Sequence, residues 1–397
     1  MSRNDKFNDA LGQHMTPATI AKLVARFVPS TVRVAIDLAV GDGALLRVLQ
    51  ARKSPVTLLG IDCDSYRLEQ ARAADVPIQL RHADGLEFPL PRWKHLQRSQ
   101  LVILGNPPFL PVDPNGEHAR WQELAFSDVR SRHGVRRLEM SFLSRALVEA
   151  RQRGGLVVML MPSPIAAGLL YEPYRRSLLS NFRVQRVVTI DDMRYRDTEA
   201  STVLLAIDAS RAGGRHVAID RFSPTDGLTR VYRGPVEPGQ RLDAGFWSAI
   251  DLHRTGAPTL EQMGVDVTRG RYCKADADRR QHRVLHTTDL SRHQGSTIHL
   301  PDRIGRSFHD DVLAEAGDIL LSRTGSRVRW EPVIVAGGIA PITDHVLRIR
   351  APEPVRDRVA RSFQHPAFPM WLESVTKGVC ASVITKRELL QMPIFSN

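Results

Sequence analysis

A chain of 397 residues exceeds the roughly 250 to 300 at which a single hydrophobic core stops growing, so two domains are expected. With 42% hydrophobic and 25% charged residues it has the composition of a folded globular protein, which excludes wholesale disorder. The 55 lysines and arginines against 43 aspartates and glutamates give a net charge of +12, which suits a polyanionic partner such as nucleic acid; only seven of the 55 are lysines, so an arginine-favouring coding bias accounts for the excess equally well.

The cysteines Cys63, Cys273 and Cys380 form no C-x-x-C pair, so neither a disulfide framework nor a zinc site is signalled and no metal is expected. The opening MSRNDKFNDALGQ lacks the apolar stretch of a signal peptide. The most apolar run, Leu156 to Met161, is stopped by Pro162 well short of a bilayer span. A cytoplasmic protein with no membrane partner is the expectation.

Residues 1 to about 210 alternate strand-like apolar runs with amphipathic helical stretches, the pattern of an α/β unit with a parallel sheet wrapped by helices. The predicted strands are Val34–Leu38, Thr57–Ile61, Ile78–Arg81, Leu101–Leu104, Gly155–Met161, Val184–Ile190 and Val203–Asp208. Thr16-Pro17 reads as a helix start, threonine capping and proline in the first position, followed by an apolar face of Ile20, Leu23, Val24 and Phe27. Glu139–Arg151 repeats that face with Phe142, Leu143, Ala146 and Leu147. From Arg211 to about Gly239 the glycine- and proline-rich text predicts an edge hairpin and then a linker. Past it, short β-like runs at Thr297–Leu300, Asp318–Ser322, Val333–Val335 and Val346–Ile349 precede helices near Val355–Phe363 and Lys386–Met392.

Asp37-Leu-Ala-Val-Gly41-Asp-Gly43 follows the first strand and precedes a helix, where two glycines allow a tight turn and a close approach of backbone to a ligand. Asp62 ends the second strand, where a carboxylate can accept both hydroxyls of a ribose, and Asp84 ends the third. Three strand-end aspartates favour a cationic ligand over a pyrophosphate, which points to S-adenosylmethionine rather than NAD. Position 46 is leucine where the third glycine of a dinucleotide fingerprint belongs. The plain alternative for Asp62 and Asp84 is capping of the helices that follow.

The fourth predicted strand ends in Gly105-Asn106-Pro107-Pro108-Phe109. The exocyclic amino group of a base is a poor nucleophile because its lone pair is delocalised into the ring. Two acceptors for its N–H hydrogens, here the Asn106 side-chain oxygen and the Pro107 carbonyl, would release that lone pair. Proline fixes φ and carries no competing N–H, and Phe109 offers a face for an extruded base. The alternative is a proline-rich turn that closes a strand.

N-P-P-F after the fourth strand, D-x-A-x-G-x-G after the first, the acidic residue after the second and Gly12-Gln13-His14-Met15-Thr16-Pro17 together resemble the N6-adenine DNA methyltransferases. Their order resembles the gamma class, which includes modification subunits and fused enzymes of type I and type II restriction-modification systems. The likeness covers roughly residues 10–208. It implies a Rossmann-like S-adenosylmethionine-dependent methyltransferase domain over 1–235 and a C-terminal α+β DNA target-recognition domain over 236–397. By the same resemblance Thr16 would hold the methionine portion of the cofactor, Asp37, Ala39 and Gly41 would line its pocket with Gly43 and Asn106, Asp62 would take the ribose and Asp84 the adenine amino group. The catalytic group would be Asn106, Pro107, Pro108 and Phe109, with Tyr195 stacking on the flipped adenine beside Phe109. Val40 and Leu38 depart from the family's usual cysteine and proline, and neither position supplies chemistry.

In the second half, Thr268-Arg269-Gly-Arg271, Glu315 to Gly325 and the closing Ile384–Ile394 resemble one target-recognition domain of type I specificity subunits. Arg269, Arg271, Arg323, Arg327 and Arg329, with Trp330 beside them, would meet guanine edges or phosphates. Residues 241–397 carry 22 basic and 18 acidic side chains, so charge does not mark this half out. The expected function is a site-specific adenine methyltransferase acting on double-stranded DNA, as a monomer or homodimer, in a restriction-modification or related defence system, with a separate restriction endonuclease left open as a partner. The alternatives are methylation of RNA or of a protein glutamine, whose planar nitrogens suit the same motif, and a DNA-recognition subunit without catalysis.

Overall fold

The apolar runs at 34–37, 101–105, 156–162 and 202–208 fold into strands buried on both faces, while the run at 78–82 lies at the sheet edge and stays largely exposed. The computed structural model describes residues 16–50, 55–73, 77–111, 119–129, 137–191, 202–279, 284–293, 297–302, 311–325, 331–376 and 382–395. The chain divides into two compact units, residues 1–244 and 245–397.

The first unit is built on strands β1 (Val34–Asp37), β2 (Thr57–Asp62), β3 (Ile78–His82), β4 (Leu101–Gly105), β5 (Leu156–Pro162), β6 (Arg183–Ile190), β7 (Thr202–Asp208), β8 (His216–Ser223) and β9 (Gly227–Pro235). They form one sheet in the order β3-β2-β1-β4-β5-β7-β6-β8-β9. The 3-2-1-4-5 portion is parallel and Rossmann-like. The all-parallel expectation fails at β7, which runs antiparallel to β5 and β6. A reversed strand lies buried on both faces just as a parallel one does, so its uniform burial carries no sign of direction. The predicted edge hairpin is β8 and β9.

Helices α1 (Ala18–Arg26), α2 (Ala44–Gln50), α3 (Ser65–Ala73), α4 (Ala119–Ala125) and α5 (Leu138–Gln152) pack around this sheet. Ile20, Leu23 and Val24 of α1 and Leu45, Leu46 and Leu49 of α2 join Val102, Leu104, Val158 and Leu204 in one buried cluster. The expected threonine cap of α1 is absent: Pro17 occupies the cap position and no side chain caps the helix. The Thr16 hydroxyl is committed elsewhere, to Asn106.

The second unit holds a five-stranded sheet in the spatial order 266–269, 346–350, 319–322, 333–337, 297–299, antiparallel except for its last pair. Alternation along Ile319–Ser322 serves two cores. Ile319 and Leu321 meet Phe363, Phe368 and Trp371 from helices Arg356–Gln364 and Ala367–Val375, and Leu320 meets Val333, Val346 and Ile298 on the opposite face. Among the described residues no helix is long and apolar enough to cross a membrane.

Candidate active site

Parallel strands deliver their last residues to one edge, and Asp37, Asp62 and Gly105 stand at the carboxyl ends of adjacent β1, β2 and β4. A cavity of about 220 Å³ opens there. Thr16, Asp37, Ala39, Gly41, Asp62, Asp84, Asn106 and Pro108 line it, together with the apolar Leu45, Leu86, Leu138 and Phe142. Sequence positions assigned to cofactor and to chemistry thus share one wall. Gly43, Pro107 and Phe109 are not on it; Pro107 is buried and Phe109 half-buried.

Each acidic residue has a distinct local anchor. Asp37 is buried and its Oδ1 accepts the Ala39 N–H at 3.0 Å. Burial pushes its carboxyl up to about 8, and the nearby Asp62 and Asp42 charges push the same way. Asp62 accepts the Gly41 N–H at 2.7 Å through Oδ2 and the Asp64 N–H at 2.9 Å through Oδ1, which ties the glycine turn to the end of β2. Gly41 itself has φ +53°, the left-handed region that a turn of this kind requires. Burial raises the Asp62 carboxyl above the usual range despite those bonds. The capping alternative for Asp62 falls to its neighbour, since Asp64 Oδ1 accepts from Tyr66 N and Arg67 N at the start of α3. Asp84 Oδ1 accepts the Leu86 N–H at 2.7 Å and closes a turn.

That turn is held by residues the sequence reading missed. A Cβ on Gly85 would stand 1.7 Å from the Leu38 carbonyl oxygen, so only glycine lets this loop lie against the end of β1. The buried Arg145 of α5 donates to the Gly85 and Phe88 carbonyls, and Trp121 Nε1 donates to the Leu86 carbonyl at 2.9 Å. The Arg145 guanidinium lies 5.2 Å from the Trp121 ring centroid. One signal was legible: Arg145 stands among Phe142, Leu143, Ala146 and Leu147, a register in which an arginine is buried and must find carbonyl or acidic partners.

The Asn106 loop is fixed at both ends. Asn106 Nδ2 donates to Thr16 Oγ1 at 3.1 Å. Farther along, Leu138 N–H donates to the Leu110 carbonyl, while the buried Glu139 carboxylate accepts the Leu110 N–H and pairs with Arg137 at 2.8 Å. Burial raises the Glu139 carboxyl above its ordinary range. Among the described residues no group of three histidine, cysteine, aspartate or glutamate side chains is placed to hold a metal ion. Pocket walls of carboxylates and apolar side chains suit an organic ligand with a cationic part, hydroxyls and a flat ring.

Tyr195, Arg327, Arg329 and Trp330 lie outside the described residues, as do Gly12 to Met15 and Cys380. In the second unit Arg269 and Arg271 are exposed around Gly270. Tyr272 accepts from Asp344 N through its carbonyl, and Arg323 Nη1 donates to the Asp344 carbonyl at 3.3 Å. Segment 342–345 therefore brings the predicted Arg323 close to the loop that carries Arg269 and Arg271.

No protein-family model and no curated protein matches the sequence. Solved structures similar to it include the methyltransferase subunit of a type I restriction-modification system from Streptococcus thermophilus, with 18% identity and TM-score 0.43 over 54% of this chain and 49% of that one. The type IIG restriction endonuclease BpuSI matches 97% of this chain and 59% of its own at 12% identity and TM-score 0.49. The type IIL restriction-modification enzyme MmeI, solved in complex with DNA, matches 94% of this chain and 64% of its own at 12% identity and TM-score 0.47. The chain thus spans between 49% and 64% of the length of these three.

Proposed function

We propose that the first unit binds S-adenosylmethionine and methylates N6 of an adenine extruded from duplex DNA, and that the second unit reads the target sequence. The observation that carries this reading is the shared wall: Asn106 lines the same cavity as Asp37, Asp62 and Asp84. The donor set fits the cofactor. Asp37 is a buried acid whose ionised form a ligand cation would stabilise, Asp62 takes the ribose diol, Asp84 takes the adenine amino group, and Leu86, Leu138 and Phe142 face its ring. When bound, S-adenosylmethionine supplies an electrophilic methyl group on a sulfonium.

The chain's own residues prepare the acceptor. The Asn106 oxygen, on the cavity wall, and the carbonyl of the adjoining Pro107, just off it, are assigned to accept the two N–H hydrogens of the adenine amino group, which would move that nitrogen toward tetrahedral geometry and free its lone pair. Neither acceptor titrates, so the chemistry needs no protein base and the surplus proton passes to water. Thr16 holds the Asn106 amide from its nitrogen side and so aims the carbonyl arm. Phe109 and Tyr195 are assigned to stacking on the extruded base, and Arg269, Arg271, Arg323, Arg327 and Arg329 to the duplex.

The test offers methyl-tritiated S-adenosylmethionine with mixed-sequence duplex DNA, with total RNA, and with a glutamine-bearing release-factor substrate. Label recovered as N6-methyladenine in DNA supports the proposal. Label confined to RNA or protein moves the same site to another acceptor, and DNA binding without cofactor binding makes the chain a recognition subunit; either result overturns it.

A further inference from the structure

The opposite end of the first unit's sheet carries a groove that the methyl-transfer reading does not use. β6 runs in the direction of β5, because both are antiparallel to β7, and β8 runs parallel to β6. Arg183 and His216 therefore start their strands at the edge away from Asp37 and Asn106. Eight residues of β6 at about 3.3 Å each separate the two edges by roughly 25 Å.

Arg26, Arg183, Arg186, Arg233 and His216 surround this groove of about 410 Å³. The register explains its shape. Ala206, Arg186, Ala218 and Arg233 are direct cross-strand partners in turn, so two arginines rise beside buried alanines that form a floor between them. A bulge between Val184 and Arg186 disturbs the alternation of β6, and Arg183, Gln185 and Arg186 all line the groove. Arg186 is already engaged, by Asp220 at 2.9 Å and by the Phe27 ring. Arg26, Arg183 and Arg233 are exposed, and among the described residues none of them has an acidic partner.

We propose that this groove holds the phosphate backbone of nucleic acid, as a second contact surface at the far end of the sheet from the candidate active site. Three guanidiniums without acidic partners, spread over α1, β6 and β9, match a charged strand better than a small anion. A small-phosphate site draws on helix N-termini and glycine turns, whereas this groove receives only the C-terminal end of α1 and extended strands. The net charge of +12 supplies the long-range attraction. The groove is a different surface from the methyl-transfer site, and its contact with nucleic acid does not depend on that site's chemistry.

The experiment measures duplex DNA affinity against salt concentration for the full chain and for Arg26→Gln/Arg183→Gln/Arg233→Gln. The expected result is an affinity loss of at least about tenfold near 0.1 M salt and a log–log salt slope shallower by about 2 to 3, since each lost phosphate contact removes about 0.9. Thermal midpoint and S-adenosylmethionine binding should not change. Should the triple variant unfold, Arg26→Gln and Arg233→Gln singly each lower the slope by about 0.9. Equal affinity and slope for wild type and variants overturn the proposal. So does binding of inorganic phosphate or ATP, at fixed ionic strength, that the triple variant loses while duplex affinity holds.

Discussion

Asn106 Nδ2 donates to Thr16 Oγ1 across 3.1 Å, although the two residues are 90 positions apart in the chain. The bond joins the segment entering α1 to the loop leaving β4 and fixes which arm of the amide faces the acceptor base. Asn106→Ala should lower the single-turnover transfer rate by about 10²- to 10³-fold, the effect of removing one preorganised polar group at a reacting centre. Thr16→Val, which keeps the shape and removes the hydroxyl, should lower it by about tenfold through misorientation. Equilibrium binding of S-adenosylmethionine to Asn106→Ala should stay within about threefold of wild type; an equal loss in rate and affinity would merge the two roles separated here.

Asp37 makes the free protein sensitive to pH. Its folded-state carboxyl is raised to about 8 from an ordinary 3.8, so the folded state holds a proton that the unfolded chain releases. The stability contributed by that proton is fully present below pH 3.8 and is lost as pH rises toward 8. Thermal midpoints of wild type and Asp37→Asn should therefore diverge over this window, with the wild type falling more steeply. A cationic ligand reverses the preference, so binding near neutral pH should release a proton, visible as a buffer-dependent heat in calorimetry. Parallel midpoint curves would show that Asp37 does not titrate there.

Asp62 differs from Asn106 in what it supports. Both of its oxygens accept backbone N–H groups, from Gly41 and from Asp64. Asp62→Ala should weaken S-adenosylmethionine binding by about 10- to 100-fold, as the glycine turn loses its tether together with a ligand acceptor. Titration calorimetry on the two variants separates the assignments: affinity falls for Asp62→Ala and rate falls for Asn106→Ala.

The Asp84 turn is the most sterically constrained part of the site. Gly85→Ala places a carbon against the Leu38 carbonyl and should destabilise the protein by more than about 2 kcal/mol in urea unfolding. Arg145→Met, which fills similar space, leaves the Gly85 and Phe88 carbonyls without their donor and should cost about 1 to 3 kcal/mol for each left unmet. A fully stable Arg145→Met would mean that the turn holds itself.

Much of this was legible in the sequence because the strand-end aspartates and the Asn106 loop follow short apolar runs whose buried register leaves few alternatives. β1, β2, β4 and β5 appear within a residue or two of their predicted limits. The antiparallel course of β7 was not legible, since burial on both faces looks the same in either direction. Short polar strands such as Asp266–Arg269 were missed because one exposed face leaves little apolar text. Arg145 and Trp121 were missed because their partners are backbone carbonyls, which no residue letter announces. The local pattern alone makes Thr16 a helix cap, but its hydroxyl is taken by a contact 90 residues away.

The central claim is that one cavity holds both the methyl donor and the Asn106 amide that prepares an adenine amino group. Sequencing that detects modified bases in the genome of a methylase-free host, expressing either the wild-type chain or Asn106→Ala, tests it most directly. The account predicts N6-methyladenine at one recurring sequence context with the wild type and at most a small residual fraction of those sites modified with the variant. A host genome free of modified adenine in the presence of folded, cofactor-binding wild-type protein would contradict it.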